Sequence, residues 1–193
     1  MEARSPTTDP FPKTRQTTPA LRNLRHALLF CLGLLLLQTP LLAQTKPTPP
    51  ATAEAKAVEA TVVYFFDAMR KGDSTQARSV LAQNARLLSV GTGKNGETVL
   101  RETPRQQFME MVAQPHPQVL DERIWNVNVQ VNGALATLWC DYAFYVGDTF
   151  SHCGVDAFQL YQSQGGWKIF SITDTRRKDK CDLKAAQAAK GTH

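Results

Sequence analysis

The stretch "HCGVDAF" (152–158) sets His152, Cys153 and Asp156 within five positions around Gly154. These residue types suit a metal site, acid–base catalysis or a thiol nucleophile. Their spacing decides among the three. In an extended strand, adjacent side chains leave on opposite faces, so His152 and Cys153 do not readily share an ion. His116 lies in "QPHP" and His193 at the terminus, so no second ligand sits at metal spacing. No metal and no cofactor is expected. Cys153 has no base on its own face, which argues against a nucleophile. What remains is acid–base chemistry or ligand orientation by Asp156 and Asp141, the two candidate catalytic groups, with Asp174 and His152 close by. Crowded, buried carboxylates raise one another's pKa. Pairing of one carboxylate with Arg176 or Arg177 would instead make the group structural.

The elements that carry these residues follow from periodicity. From Glu54, apolar residues recur at Val58, Val62, Phe65, Phe66 and Met69, one stripe of a helix. Gly72 ends it, and Asp73 with Gln76 forms a capping box for a short second helix, about 74–82. "ARLLSVG" reads as a strand and "GTGKNGE" as a loop or hairpin turn. A third helix opens at Thr103-Pro104 with Gln106 and buries Phe108, Met111 and Val112. After Gln118 the period becomes two. Four strands follow, separated by Asn132-Gly133, Gly147-Asp148 and Gln164-Gly165-Gly166, residues that favour hairpin turns. Helices followed by an antiparallel meander define an α+β class.

This order, with "TVVYFFDAMRKGDSTQARSVLAQNARLLSVG" near the front and "GVDAFQLYQSQGGWKIFSITDTRR" near the end, resembles the NTF2-like superfamily, including its SnoaL-like, lumazine-binding-type and ketosteroid-isomerase branches. The resemblance spans roughly 54–178. It implies a cone with a cystatin-like fold: three N-terminal helices packed in the concave face of a strongly curved antiparallel sheet, open at one end. Asp156 matches the acid that isomerases of this kind keep neutral, but their tyrosine position holds Phe65. Their base position falls near Ser89. With two of three parts missing, that isomerase activity is not expected.

Ideal hairpin register pairs Asp141 with Gly154 and Trp139 with Asp156. In the last hairpin a three-residue turn pairs Phe158 with Ile172, Leu160 with Phe170 and Asp156 with Asp174, matching large side chains across strands. One face then carries Trp139, Asp141, His152, Asp156, Phe158, Asp174 and Arg176, a greasy floor beneath a charged rim. With Phe65, Met69 and Phe108 from the helices, these are the expected ligand-binding residues. Gly154 either leaves room for a ligand or marks a kink. The opposite face carries Val127, Val129, Leu138, Cys140, Tyr142, Cys153 and Val155. By the same resemblance, this outer face is expected to form a homodimer.

Before the domain stand a polar n-region, the apolar run "ALLFCLGLLLL" and Ala43, a secretory pattern with cleavage near Ala43. An uncleaved anchor is the alternative. The expected organisation is residues 1–43 as a disordered n-region and signal peptide, 44–53 as linker, 54–178 as the domain and 179–193 as tail. Cleavage removes five basic and two acidic residues, so the formal charge falls from +5 to about +2. Neither nucleic acid nor, after cleavage, a membrane is an expected partner. Export to a periplasmic or extracellular space permits a disulfide. Cys153 with Cys181 is favoured, with Cys140–Cys153 the alternative. The function expected is binding of a small hydrophobic or aromatic ligand without catalysis. The alternative is an acid–base enzyme, isomerase or hydratase/lyase in type, acting on a hydrophobic substrate.

Overall fold

The structure is a computed structural model, and it describes residues 52–191. The signal segment and most of the linker lie outside these residues. Helix α1 (Ala53–Lys71) starts where the Thr52 side chain accepts from the Ala55 N–H, and ends at Gly72, whose φ of 67° suits a residue without Cβ. The Asp73 carboxylate caps α2 (Ser74–Val80) through the Gln76 N–H. Strands β1 (Leu81–Thr92) and β2 (Thr98–Thr103) form a hairpin. Helix α3 (Arg105–Ala113) follows, with Pro104 at its N-cap and no side-chain cap, unlike the box expected from Thr103 and Gln106. Then come β3 (Leu120–Asn132), β4 (Leu135–Val146), β5 (Thr149–Ser163) and β6 (Gly166–Thr175), and a short α4 (Leu183–Ala188).

The class is α+β, as expected, but two features of the expected architecture change. The sheet is mixed, in the order β2-β1-β6-β5-β4-β3, because β1 runs parallel to β6. The meander alone gave no sign of this pairing, since its two strands lie at opposite ends of the domain. The expected tail also contains a helix, α4, while α3 follows the first strand in the order that the sequence implied. Phe65, Phe66, Val58 and Val62 of α1 pack with Met109 and Val112 of α3 against Ile124, Leu138, Tyr142, Phe158 and Leu160 of the sheet. No helix among the described residues is long and apolar enough to cross a membrane.

Bulges set which side chains enter the cone. The β4–β5 turn pairs Val146 with Thr149, as expected, but an extra residue at Ser151 moves Phe144 opposite His152. Every later pair shifts by one. Asp156 therefore faces Cys140, and Gly154 faces Tyr142. Since side chains alternate, this slip turns the assigned β4 face inside out. Leu138, Cys140 and Tyr142 are buried inside, whereas Trp139 is 56% exposed on the outer face. Val127 and Val129 also pack toward the core. A second bulge on β3 places Asn126 at φ 52°, from where its side-chain amide donates to Asp141 Oδ2 at 2.7 Å. Asp141 thus braces a bulge outside the cone.

In the last hairpin two changes offset each other. The turn has two residues, pairing Ser163 with Gly166 and Leu160 with Ile169 rather than Phe170. A bulge before Ser171 then restores Phe158 opposite Ile172 and Asp156 opposite Asp174. Gly154 makes no room for a ligand. An ideal Cβ there would lie 1.8 Å from the Thr175 carbonyl oxygen, so glycine permits close approach by the β6 backbone.

Cys153 and Cys181 are joined by a disulfide, and Cys140 is a buried free thiol. Backbone hydrogen bonds from Cys153 to Arg177 run in both directions beside the link. Behind it, Ala186 of α4 packs on Ala143, Tyr145 and Cys153, covering part of the outer face.

Candidate functional site

The concave face holds a cavity of about 340 Å³. Phe65, Phe66 and Met69 of α1, Phe108 and Met111 of α3, and Leu87, Leu88 and Ile172 of the sheet form its apolar walls. Phe65 stacks on Phe108 at 5.6 Å between centroids. Phe158 lies beneath the wall, 1% exposed, with its ring edge-on to Phe66.

Polar groups converge in one region: Glu122 from β3, His152 and Asp156 from β5, Asp174 from β6, and Arg176 just after it. Asp156 is 2% exposed, and its Oδ2 has no hydrogen-bond partner. The Glu122 and Asp156 carboxyl groups lie close enough to act on each other's ionisation. Burial, then the negative charge of Asp174, push Glu122 up to about 7. Burial and the Glu122 charge raise Asp156 well above the usual carboxylate range. Two adjacent carboxyls whose nearest cation, Arg176, is engaged by Asp174 retain a proton, because ionising both would confine two like charges in a poorly solvated place.

Asp174 is differently served. Arg176 Nε donates to its Oδ2 at 2.7 Å, and the Tyr142 hydroxyl donates to the same oxygen at 3.2 Å. That hydroxyl also lies 2.9 Å from the Thr175 carbonyl. Burial and the neighbouring carboxylates keep the phenol and the Cys140 thiol protonated. Burial, then the Arg176 charge, depress His152 to about 4, so its imidazole is neutral at physiological pH. Its ring meets Tyr142 edge-on and Phe144 at 5.2 Å. On the far side of β3, Asp121 accepts from Arg70 at 2.9 Å and from Arg123 at 2.6 Å. The Arg123 guanidinium also lies 3.8 Å from the centre of the Tyr145 ring. These hydrogen bonds outweigh the burial of Asp121 and hold it ionised.

Of the residues expected at the site, Phe65, Met69, Phe108, His152, Asp156, Asp174 and Arg176 line one cavity. Phe158 supports it from below. Trp139 and Asp141 are corrected to the outer side by the Ser151 bulge. Glu122 is absent from the expected set, although it lies in the first of the four strands expected after Gln118. Its alternation with Leu120 and Ile124 places a carboxylate on the apolar face, and that was the available signal. Tyr142 was missed for the same register error as Cys140.

An α+β cone with a curled mixed sheet and a partly polar cavity defines an NTF2-like protein. The family described as "Putative lumazine-binding" matches residues 53–173. The chain belongs to this family. A comparison with curated proteins finds no match. Among solved structures, a "putative dehydratase from the NTF2-like family" of Streptomyces avermitilis is 18% identical, with a TM-score of 0.50, covering 64% of this chain and 95% of that one. An NTF2-like protein with a cystatin-like fold from Novosphingobium aromaticivorans is 13% identical, with a TM-score of 0.52 over 70% of this chain and 88% of its own. A "putative calcium/calmodulin dependent protein kinase II association domain" from Xanthomonas campestris is 20% identical, with a TM-score of 0.52 over 69% and 95%. At these identities the likeness is one of fold.

Proposed function

We propose that this protein binds a small, largely apolar molecule in the cone, with the ligand's polar end against Glu122 and Asp156. The observation carrying this reading is the 340 Å³ cavity, whose phenylalanine-rich walls lead to one group of polar side chains. Such a volume suits a small ligand. A Met111→Trp substitution tests it, because Met111 lines the cavity yet is 42% exposed, so a larger side chain obstructs the space without crowding the core. An apolar compound that raises the wild-type melting temperature is expected to lose its effect in this variant. Equal shifts in both proteins would count against the cone as the site.

The second reading, an acid–base enzyme of isomerase or hydratase/lyase type, is favoured by one observation. Glu122 titrates near neutrality beside a protonated Asp156, an acid and a base in contact. Its mark is turnover that Asp156→Asn abolishes while binding persists. Two accompanying proposals concern context. Export is supported by the secretory pattern at residues 1–43 and is compatible with the disulfide; N-terminal sequencing of the mature protein tests it. A homodimer through the outer sheet face is supported by exposed Trp139 and Tyr161, 56% and 41% accessible, and fails if mass photometry at micromolar concentration finds only monomer.

A further inference from the structure

The charges facing the cone do not balance. Glu122 comes from β3, Asp156 from β5 and Asp174 from β6, three carboxyl groups on one cavity. Arg176 is the one arginine or lysine among the lining residues. It is engaged with Asp174 at 2.7 Å, and its side chain is 57% exposed, where solvent screens it. Arg70 of α1 lies behind β3, directed at Asp67, Asp121 and the Glu122 backbone carbonyl. From β4, Tyr142 and Cys140 face the same region in their neutral forms. His152 is neutral, and His116 at the mouth is held 2.7 Å from the Met111 carbonyl. Helix α3 supplies only Phe108 and Met111 to the lining. Glu122 and Asp156 are therefore left facing the cavity without a cation of their own.

Asp156 Oδ2 sharpens the point. It is buried and has no partner, a state that costs free energy unless something fills it. Among the described residues no cluster has the arrangement of a metal site, so an inorganic ion is not the natural complement. The walls are rings and methyl groups. Phe65, Phe66, Phe108 and Phe144 all line the cavity, and aromatic faces attract cations.

We infer that the cone takes an organic cation, an apolar body bearing one ammonium group, with the ammonium held by Glu122 and Asp156 Oδ2 and the body against the phenylalanine walls. The inference rests on the cone being a binding site and adds the chemical class of its occupant. A ligand carboxylate would meet three carboxyl groups, and a neutral hydroxyl would leave the ionised Glu122 without a counterion. The ammonium supplies charge and N–H donors together. No bond is made or broken. Below neutral pH the ligand must compete with the proton on Glu122, so the affinity of the cation increases with pH.

The test titrates three probes of one skeleton into the full mature protein by calorimetry: 2-phenylethylamine, 2-phenylethanol and 3-phenylpropanoate. At pH 8 the amine is expected to bind at least about tenfold more tightly than the other two. If binding requires ionised Glu122, its affinity falls roughly tenfold between pH 8 and pH 6, while that of the alcohol stays level. Glu122→Gln is expected to remove both the preference for the amine and the pH dependence. If the alcohol equals or exceeds the amine, the cation assignment falls and the binding reading stands. Failure of all three to bind, with Met111→Trp indistinguishable from wild type toward a wider apolar panel, removes both. A pH dependence retained in Glu122→Gln assigns the effect to another group and overturns the inference. The wild-type series needs no variant, so instability of Glu122→Gln does not shield the claim.

Discussion

Replacing Glu122 by Gln should stabilise the fold, and by an amount that depends on pH. In the native protein this carboxyl is raised from 4.5 to about 7, first by burial and then by Asp174. Between those values the native state holds a proton that the unfolded chain has released. The stability this group contributes is therefore complete below pH 4.5 and is lost as the pH passes through about 7. At ~1.4 kcal/mol for each tenfold change, the loss approaches about 3 kcal/mol by pH 8. Glutamine has no proton to lose. Urea unfolding at pH 5, 6, 7 and 8 gives ΔG for both proteins, and the variant's advantage should widen with pH toward that figure. Two backgrounds are present in both proteins. Asp156, also raised, slopes the same way. His152, depressed from 6.5 to about 4, slopes oppositely below pH 6.5, because the unfolded chain protonates there first. The comparison of variant with wild type removes the His152 background and reports Glu122 together with the part of the Asp156 elevation that the Glu122 charge causes. A difference that stays constant from pH 5 to 8 would refute the reasoning, since Glu122 would then hold no extra proton in the fold.

Three further outcomes are expected. Removing the disulfide as Cys153→Ala/Cys181→Ala opens a loop of 28 residues' separation and should cost about 3–4 kcal/mol in urea unfolding. Reductant should then leave the variant unchanged while destabilising the wild type. Gly154→Ala drives a methyl into the Thr175 carbonyl and should cost about 3 kcal/mol or prevent folding, whereas an unchanged midpoint would mean the strands are farther apart. Trp139→Ala should change monomer stability by less than about 1 kcal/mol and leave ligand affinity intact, because the ring lies outside the cone; loss of binding would restore the face first expected from ideal register.

The parts of the fold that local chemistry dictates were legible in the residues. The apolar stripe of α1, the Gly72 stop and the Asp73 cap are all present at those positions. The Gly147-Asp148 turn joins the expected strands, and the turn expected at Asn132-Gly133 lies one residue on, at Gly133-Ala134. Long-range pairing was less legible. The parallel contact of β1 with β6 joins segments at opposite ends of the domain, and no short-range signal encodes it. Site residues divided the same way. Asp156 and Asp174 were placed together because two deviations in one hairpin offset each other, a shorter turn and a bulge near Phe170. Asp141 and Trp139 were misplaced because one uncompensated bulge at Ser151 reversed their faces. Nothing in "FSHCG" announces that extra residue. Glu122 was open to discovery, since it stands between Leu120 and Ile124 on an inward-facing period of two.

The parallel join of β1 to β6 also bears on the order of assembly. Leu87 finds its partner in Ile172, so the strand that opens the sheet waits for the one that completes it. A ribosome delivers the helices and the β1–β2 hairpin long before the residues that flank them in space. Until β6 emerges, β1 has a bare edge, and the apolar wall bearing Leu87 lacks its neighbour Ile172. Nascent chains halted before Gly166 should thus be sticky and protease-sensitive, and a chaperone would find its best foothold on that uncovered margin.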